Sequence, residues 1–439
     1  MSAFDRSGRL QAELPDLLTD IAAPSVPDYI DDVLAVTAAT RQRPRWTFPE
    51  RWLPMGVLAS ERAPVRSPIP LRTLAVVALI ILALVAAGLF YVGSQRHLPP
   101  PFGPARNGAL VFGDANGDIR ISDSVDGPSR LLFGGPTDDF AANFTRDGTH
   151  LVWLRRASGT PGSPDERLTF VVANPDGTNV RQLDASLEAP SQWDLSPEGS
   201  LIVAETGDPA IGQKLVTIDL VGDRGQRPLD VGDPAMTMSW PSFLGPEGKE
   251  IVFRGRTMTA AGTRAGIFAV RPDGSGLRPL TKTDAETDAF YQNPLASGDG
   301  RFVTYTDWDN VRQLNSVHIL DLTTGTPRAI DPGTTLNEGF ASGFSPDSRY
   351  LVFTVYGDSS EHLMLASVDG SSPPRQIGLN YPNTPDALLY GRWTADARSV
   401  LVIDEGSKST RLVEVDAAGE GRAIDYSAAD VYAVQRLAP

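Results

Sequence analysis

Six short apolar runs recur through residues 151–402 at a nearly fixed interval, and that interval restricts the fold more than any other feature of the chain. They are Leu151-Val152-Trp153, Leu201-Ile202-Val203, Ile251-Val252-Phe253, Phe302-Val303-Thr304, Leu351-Val352-Phe353 and Val400-Leu401-Val402, with starts 50, 50, 51, 49 and 49 residues apart. Each follows a turn built on an acidic residue: Asp147-Gly148, Glu198-Gly199, Glu247-Gly248, Asp299-Gly300, Asp347-Ser348 and Asp396-Ala397. A period near 50 residues is the length of one four-stranded propeller blade. Helical solenoid repeats are shorter and carry a 3.6-residue pattern. The spacing therefore predicts an all-β chain folded as a β-propeller.

Within each repeat the order reads as innermost strand, tight turn, apolar strand and hairpin. Phe344-Ser345-Pro346-Asp347-Ser348 displays the turn best. Proline presets φ at the first corner, and the acidic side chain can cap backbone N–H groups. Glycine at the last position supplies a positive φ at little cost. A second signature is a polar hairpin leading to a short outer strand, as in Asn174-Pro175-Asp176-Gly177 before Gln182-Leu183 and Arg271-Pro272-Asp273-Gly274 before Pro279-Leu280. A seventh hairpin at Val125–Leu132 belongs to a partial unit that lacks its own innermost strand. At the other end Asp430–Leu437 alternates like a strand and has no repeat after it. The economical solution is seven blades, rather than six or eight, with 430–437 completing the first blade and closing the ring.

These residues carry a resemblance. The Ser-Pro-Asp/Glu-Gly turn, the Leu-Val-Phe strand and the Asp-Gly hairpin are similar to the WD40-like (PD40) repeats of TolB-like bacterial propellers, over roughly residues 105–439. The resemblance implies architecture and carries no activity with it.

Composition narrows the chemistry. The 439 residues include no cysteine, which excludes disulfides, thiol catalysis and cysteine–zinc sites. His97, His150, His318 and His362 are scattered, so no metal site and no cofactor is expected. Residues 1–72 are neutral, so the net charge of −15 lies in the remainder and makes nucleic acid an unfavourable partner. No nucleophile elbow, P-loop, Gly-x-Gly-x-x-Gly or His-Glu-x-x-His motif occurs, and no catalytic residue is assigned. Asp114-Ala115-Asn116-Gly117-Asp118 has a calcium-loop flavour, but it lacks the downstream acidic ligand and reads better as a hairpin turn.

The N-terminal part reads differently. Residues 73–92 are a 20-residue uncharged run, enough to cross a ~30 Å hydrocarbon core as a transmembrane helix. Arg62, Arg66 and Arg72 precede it and only Arg96 and Arg106 follow closely, so the N-terminus is expected in the cytoplasm and the propeller outside the cell membrane. Residues 1–72 form an expected cytoplasmic segment with helices over Arg9–Ile21 and Pro27–Arg43, and residues 93–106 a Pro-rich spacer before a propeller at 107–439. The apolar stripes of these helices would meet the membrane surface, a protein partner or another copy of the chain; the layout resembles transmembrane anti-sigma factors, which implies a cytoplasmic protein partner such as a sigma factor.

Candidate ligand-binding residues come from a repeated position. Phe140, Trp240 and Phe340 lie seven residues before the acidic turn, with Tyr291 and Tyr390 displaced by one. A ring of aromatics where innermost strands enter the central channel could stack a sugar or clamp a peptide, and packing between blades is the competing reading. The expected function is a non-enzymatic, single-pass propeller that binds a small ligand or protein. The alternative is a propeller hydrolase or lyase acting on a polysaccharide or peptide with channel carboxylates.

Overall fold

The computed structural model describes residues 76–84 and 102–438, the latter without residues 164, 189–191, 208–211, 223, 261, 284–291, 310–312, 334–336, 358, 385–387, 417–420 and 425–432. The chain divides into two units, Met1–Ser94 and Gln95–Pro439. In the first, residues 76–84 are helical and exposed. Among the described residues no helix is long and apolar enough to cross a membrane. The rest of the expected span, and both expected cytoplasmic helices, lie outside the described residues.

The second unit holds seven antiparallel sheets, six with four strands and one with an additional short strand. They are the blades of a propeller. Blade 1 spans Arg106–Phe133 and borrows its innermost strand, Ala433–Leu437, from the other end of the chain. Blades 2 to 7 occupy residues 139–188, 193–228, 237–279, 292–329, 337–382 and 389–424. The borrowed strand pairs antiparallel with Arg106–Gly113, bringing Arg106 opposite Leu437 and Leu110 opposite Val434. The expected closure is the observed one.

The apolar runs owe their continuity to burial on both faces. Side chains alternate along a strand, so Leu151 and Trp153 pack toward blade 1 while Val152 and Leu154 pack toward blade 3. The same parity operates in blade 4, where Ile251 and Phe253 join blade 3, and Val252 joins Val303 and Tyr305 of blade 5. Among the described residues the buried apolar side chains gather into seven clusters, one at each junction between blades. The last of these joins Leu401 and Ile403 of blade 7 to Leu110 and Phe112 of blade 1, so the ring is sealed by a core as well as by hydrogen bonds. Five of the outer strands add an anchor, with Leu183, Leu229, Ile330, Ile377 and Ile424 buried beside exposed neighbours.

The acidic turns explain the other half of the repeat. Thr145 donates to Asp147 at 2.6 Å and accepts from the His150 N–H at 3.0 Å. Ser345 does the same with Asp347 and Tyr350, at 2.6 and 2.9 Å. The acidic residue also accepts a backbone N–H two positions on, as expected for a cap. The first hydroxyl is thus as much a part of the motif as the acid, which the sequence reading did not assign. The fourth residue is left-handed in all six turns, including Ser348 at φ 58° and Ala397 at φ 60°. At Gly148 a side chain would also collide with the Arg436 carbonyl of blade 1.

We call the side where innermost strands begin the entry face, and the side where they end in the acidic turns the exit face. The chain reaches the propeller across the exit face. Phe102 lies against Gly298 of blade 5. Gly103 donates to Pro346 of blade 6 at 3.1 Å, Ala105 donates to Ala395 of blade 7 at 2.8 Å, and Arg436 of blade 1 donates to Gly103 at 2.9 Å. The last part of the expected spacer is therefore a strap hydrogen-bonded to three blades and packed against a fourth.

Candidate binding site at the entry face

Innermost strands are irregular near their entry ends. In blades 2, 4, 5 and 6 the pairing register slips there, between Phe140 and Asn143, Ser239 and Ser242, Gln292 and Leu295, and Glu338 and Ala341. A bulge turns a side chain out of the pleat and is common beside functional sites. Ala141, Trp240 and Asn293 take left-handed backbone there, at φ 53°, 52° and 49°. For a residue as bulky as tryptophan that conformation is costly and needs support from its surroundings.

Support comes from blade 3. Glu205 is 2% exposed, and its carboxylate accepts the Trp240 backbone N–H. Gln213 donates to its other oxygen at 2.8 Å. Burial outweighs these hydrogen bonds and pushes the Glu205 carboxyl up to about 7. One wall of the indole is covered by Arg254, whose guanidinium lies 5.3 Å from the ring centroid. Burial, and then the nearby charge of Arg256, lower the Arg254 pKa.

The aromatics singled out by the sequence separate into groups. Phe140 packs against the core between blades 2 and 3, and Tyr390 against the core between blades 7 and 1. Trp240 is half-buried and Phe340 is 45% exposed, and neither belongs to an interblade core. Tyr291 lies outside the described residues. Three of these rings carry a guanidinium: Arg156 stands 5.6 Å from Phe140, Arg254 beside Trp240, and Arg392 5.8 Å from Tyr390.

Their charge partners differ. Arg156 donates to Glu166 at 2.9 Å and pairs with Asp138. Its neighbour Arg155 grips Asp139 with two bonds of 2.6 and 2.7 Å. Arg254 and Arg392 each have a buried Nε without a hydrogen-bond partner. The sequence reading missed these arginines, although Arg254 and Arg256 at alternate positions of a buried strand were a visible signal.

Toward the axis the strands are tied by side chains rather than ladders. Asp194 of blade 3 accepts the Phe243 N–H of blade 4 at 2.8 Å, and Ser242 accepts from Ala296 of blade 5 at 3.3 Å. Asn293 reaches Ala341 of blade 6, Trp393 of blade 7 reaches back to Gly343, and Gln435 of blade 1 donates to Gly148 of blade 2. Small residues are needed here. A β-carbon at Gly391 would come within 2.8 Å of Val352.

A carboxyl pair also occurs in blades 6 and 7. Glu361 is raised to about 7 by burial and then by the charge of Asp404. Asp404 accepts from the Gly406 N–H at 3.0 Å and from Ser407. The two are 5% and 2% exposed. Among the described residues no group of three or more histidine or acidic side chains could hold a metal ion. Asp114 accepts the Asn116 N–H at 2.9 Å and so caps a hairpin turn, as expected.

No family model matches the chain, and no curated protein does. Solved structures with the same architecture are numerous. The β-propeller domain of the Trilobed protease from Pyrococcus furiosus is 11% identical with a TM-score of 0.51, over 75% of this chain and 98% of that one. That domain is described as having an open velcro topology, whereas here the terminal strand pairs with blade 1. A prolyl endopeptidase is 14% identical with a TM-score of 0.52, covering 76% of this chain; the chain spans half of that enzyme's length. TolB from Acinetobacter baumannii is 13% identical with a TM-score of 0.43, over 77% of this chain and 68% of that one. At such identities the likeness is one of fold.

Proposed function

We propose that this chain is a binding propeller whose entry face takes a ligand, carried outside the cell membrane by a span at residues 73–92, with residues 1–72 as a cytoplasmic arm toward a protein partner. The binding half rests on Trp240. Its left-handed backbone is held by a buried carboxyl from the neighbouring blade, its ring is half-exposed, and it lies outside every interblade core. The entry face is also the one opposite the strap, so residues 102–105 do not cover it. The anchoring half rests on the uncharged run and the arginines before it. The cytoplasmic arm and its partner rest on layout alone.

The rival reading, a hydrolase or lyase, gains little from Glu361 and Asp404, because both are too deeply buried to touch a substrate. The full chain in lipid nanodiscs can be screened on glycan and peptide arrays. Hits should be lost in Trp240→Leu by about 1–3 kcal/mol of affinity, with the melting temperature unchanged within about 2 °C. Retained hits with a lowered melting temperature would make Trp240 a packing residue. For the anchor, protease added to intact cells should degrade the propeller and spare an N-terminal tag; a protected propeller would overturn that assignment.

A further inference from the structure

Arg254 and Arg256 lie two residues apart on the second strand of blade 4, so they share one side of the sheet. That side is the one Val252 uses to meet blade 5. Arg254 is half-buried beside Trp240 and Arg256 is exposed. Neither guanidinium meets a carboxylate among the described residues. Two like charges in a partly desolvated place repel one another and lose hydration, which an internal partner would normally offset.

Blade 2 holds such partners. There the guanidinium over the ring, Arg156, is neutralised by Asp138 and Glu166, the latter 2% exposed. Among the described residues blade 4 repeats the ring and the guanidinium without the acids. The place that Asp138 and Glu166 occupy in blade 2 holds no described acid in blade 4, and an acid from outside would fit it. In a domain of net charge −15 that cation pair is a local exception, suited to a singly charged carboxylate rather than to a polyanion that the surrounding field would repel.

We propose that Arg254 and Arg256 bind a carboxylate-bearing ligand at the entry face between blades 4 and 5, its carboxylate bridging the two guanidiniums and its body lying on the indole of Trp240. This deepens the reading of the entry face as a binding surface and rests on it. Guanidinium forks suit carboxylate geometry, and the indole supplies an apolar wall for a sugar ring. A uronic acid is the simplest molecule that combines both features.

The test uses the full chain in nanodiscs, titrated with D-glucuronate and with D-glucose, its neutral counterpart, and followed by calorimetry and tryptophan fluorescence. Glucuronate should bind, glucose should bind at least about ten-fold more weakly, and added salt should weaken glucuronate alone. Arg254→Gln and Arg256→Gln should each weaken glucuronate about ten-fold or more. Arg256 is exposed, so its variant keeps the fold and guards against a trivial loss. No glucuronate binding, equal binding of glucose, or wild-type affinity in both arginine variants would overturn the proposal. If Trp240→Leu loses array ligands while the arginine variants keep them, the entry-face reading stands and the carboxylate assignment falls. If none of the three variants alters any binding, both fall.

Discussion

Blade 2 and blade 4 start from the same device, an aromatic ring at the entry to the innermost strand with a guanidinium against it, and complete it in opposite ways. In blade 2 the ring belongs to the interblade core and the arginine is paired with acids of its own blade. In blade 4 the ring stands outside the cores, the backbone beneath it is left-handed, and the arginine meets no acid among the described residues. One arrangement is finished within the fold and contributes stability. The other has valences left over, and a propeller with such a place has a candidate binding site without any catalytic motif. Repeats make the distinction readable, because each blade is a control for its neighbours.

The sharpest way to break the comparison is to unmake the blade 2 version. Glu166→Ala leaves Arg156 half-satisfied in a buried setting and should cost about 3 kcal/mol in urea unfolding. Arg256→Gln in blade 4, by contrast, removes a charge that repels Arg254 and should change stability by less than about 0.5 kcal/mol. Equal losses in the two variants would mean that blade 4 has an internal partner for its arginines and that the contrast is false.

A smaller effect concerns how each blade uses carboxyl groups. The blade 2 acids act as charged partners, whereas the Glu205 carboxyl beside Trp240 is pushed by burial from its ordinary 4.5 to about 7. A raised acid binds its proton more tightly in the folded state. Between pH 4.5 and 7 the unfolded chain therefore holds fewer protons, and stability falls as pH rises through that window. The stability lost through Glu205 is on the order of 3 kcal/mol by neutral pH. Glu205→Gln should reduce the decline seen in urea melts across this window, with Glu361 and Asp194, which are raised in the same direction, contributing to the remainder. An unchanged pH profile in the variant would mean that Glu205 is ionised throughout and that Trp240 is held by a charge.

Much of the architecture was legible because the propeller repeats its constraints. A strand buried on both faces must be continuously apolar, and a turn that needs a left-handed fourth residue favours glycine; both leave marks every 50 residues or so. Closure was legible too, since Asp430–Leu437 was a strand without a blade and Ala109–Phe112 a blade without its first strand. The site was less so. Phe140, Trp240 and Phe340 occupy one sequence position, yet one belongs to a core and two do not, because bulges re-aim side chains without altering the residue types around them. Glu205 resembled any polar residue at a strand end. Its importance comes from a hydrogen bond to a different blade, 35 positions away, which no local pattern encodes.

The closing strand also sets a timetable. Ala109 and Gln435 are joined across 326 positions, so blade 1 cannot be completed until the six blades between them have been made. At about 5–20 residues per second the second strand of blade 1 waits for its partner for roughly 15–65 seconds. For that interval it is an edge open to pairing with any nascent chain nearby. The register slip between Asn107 and Leu110, directly on that edge, interrupts the row of exposed peptide groups and leaves a stranger less to template on. A kink that looks like an imperfection in the finished ring is, for the unfinished one, a safeguard against joining the wrong molecule.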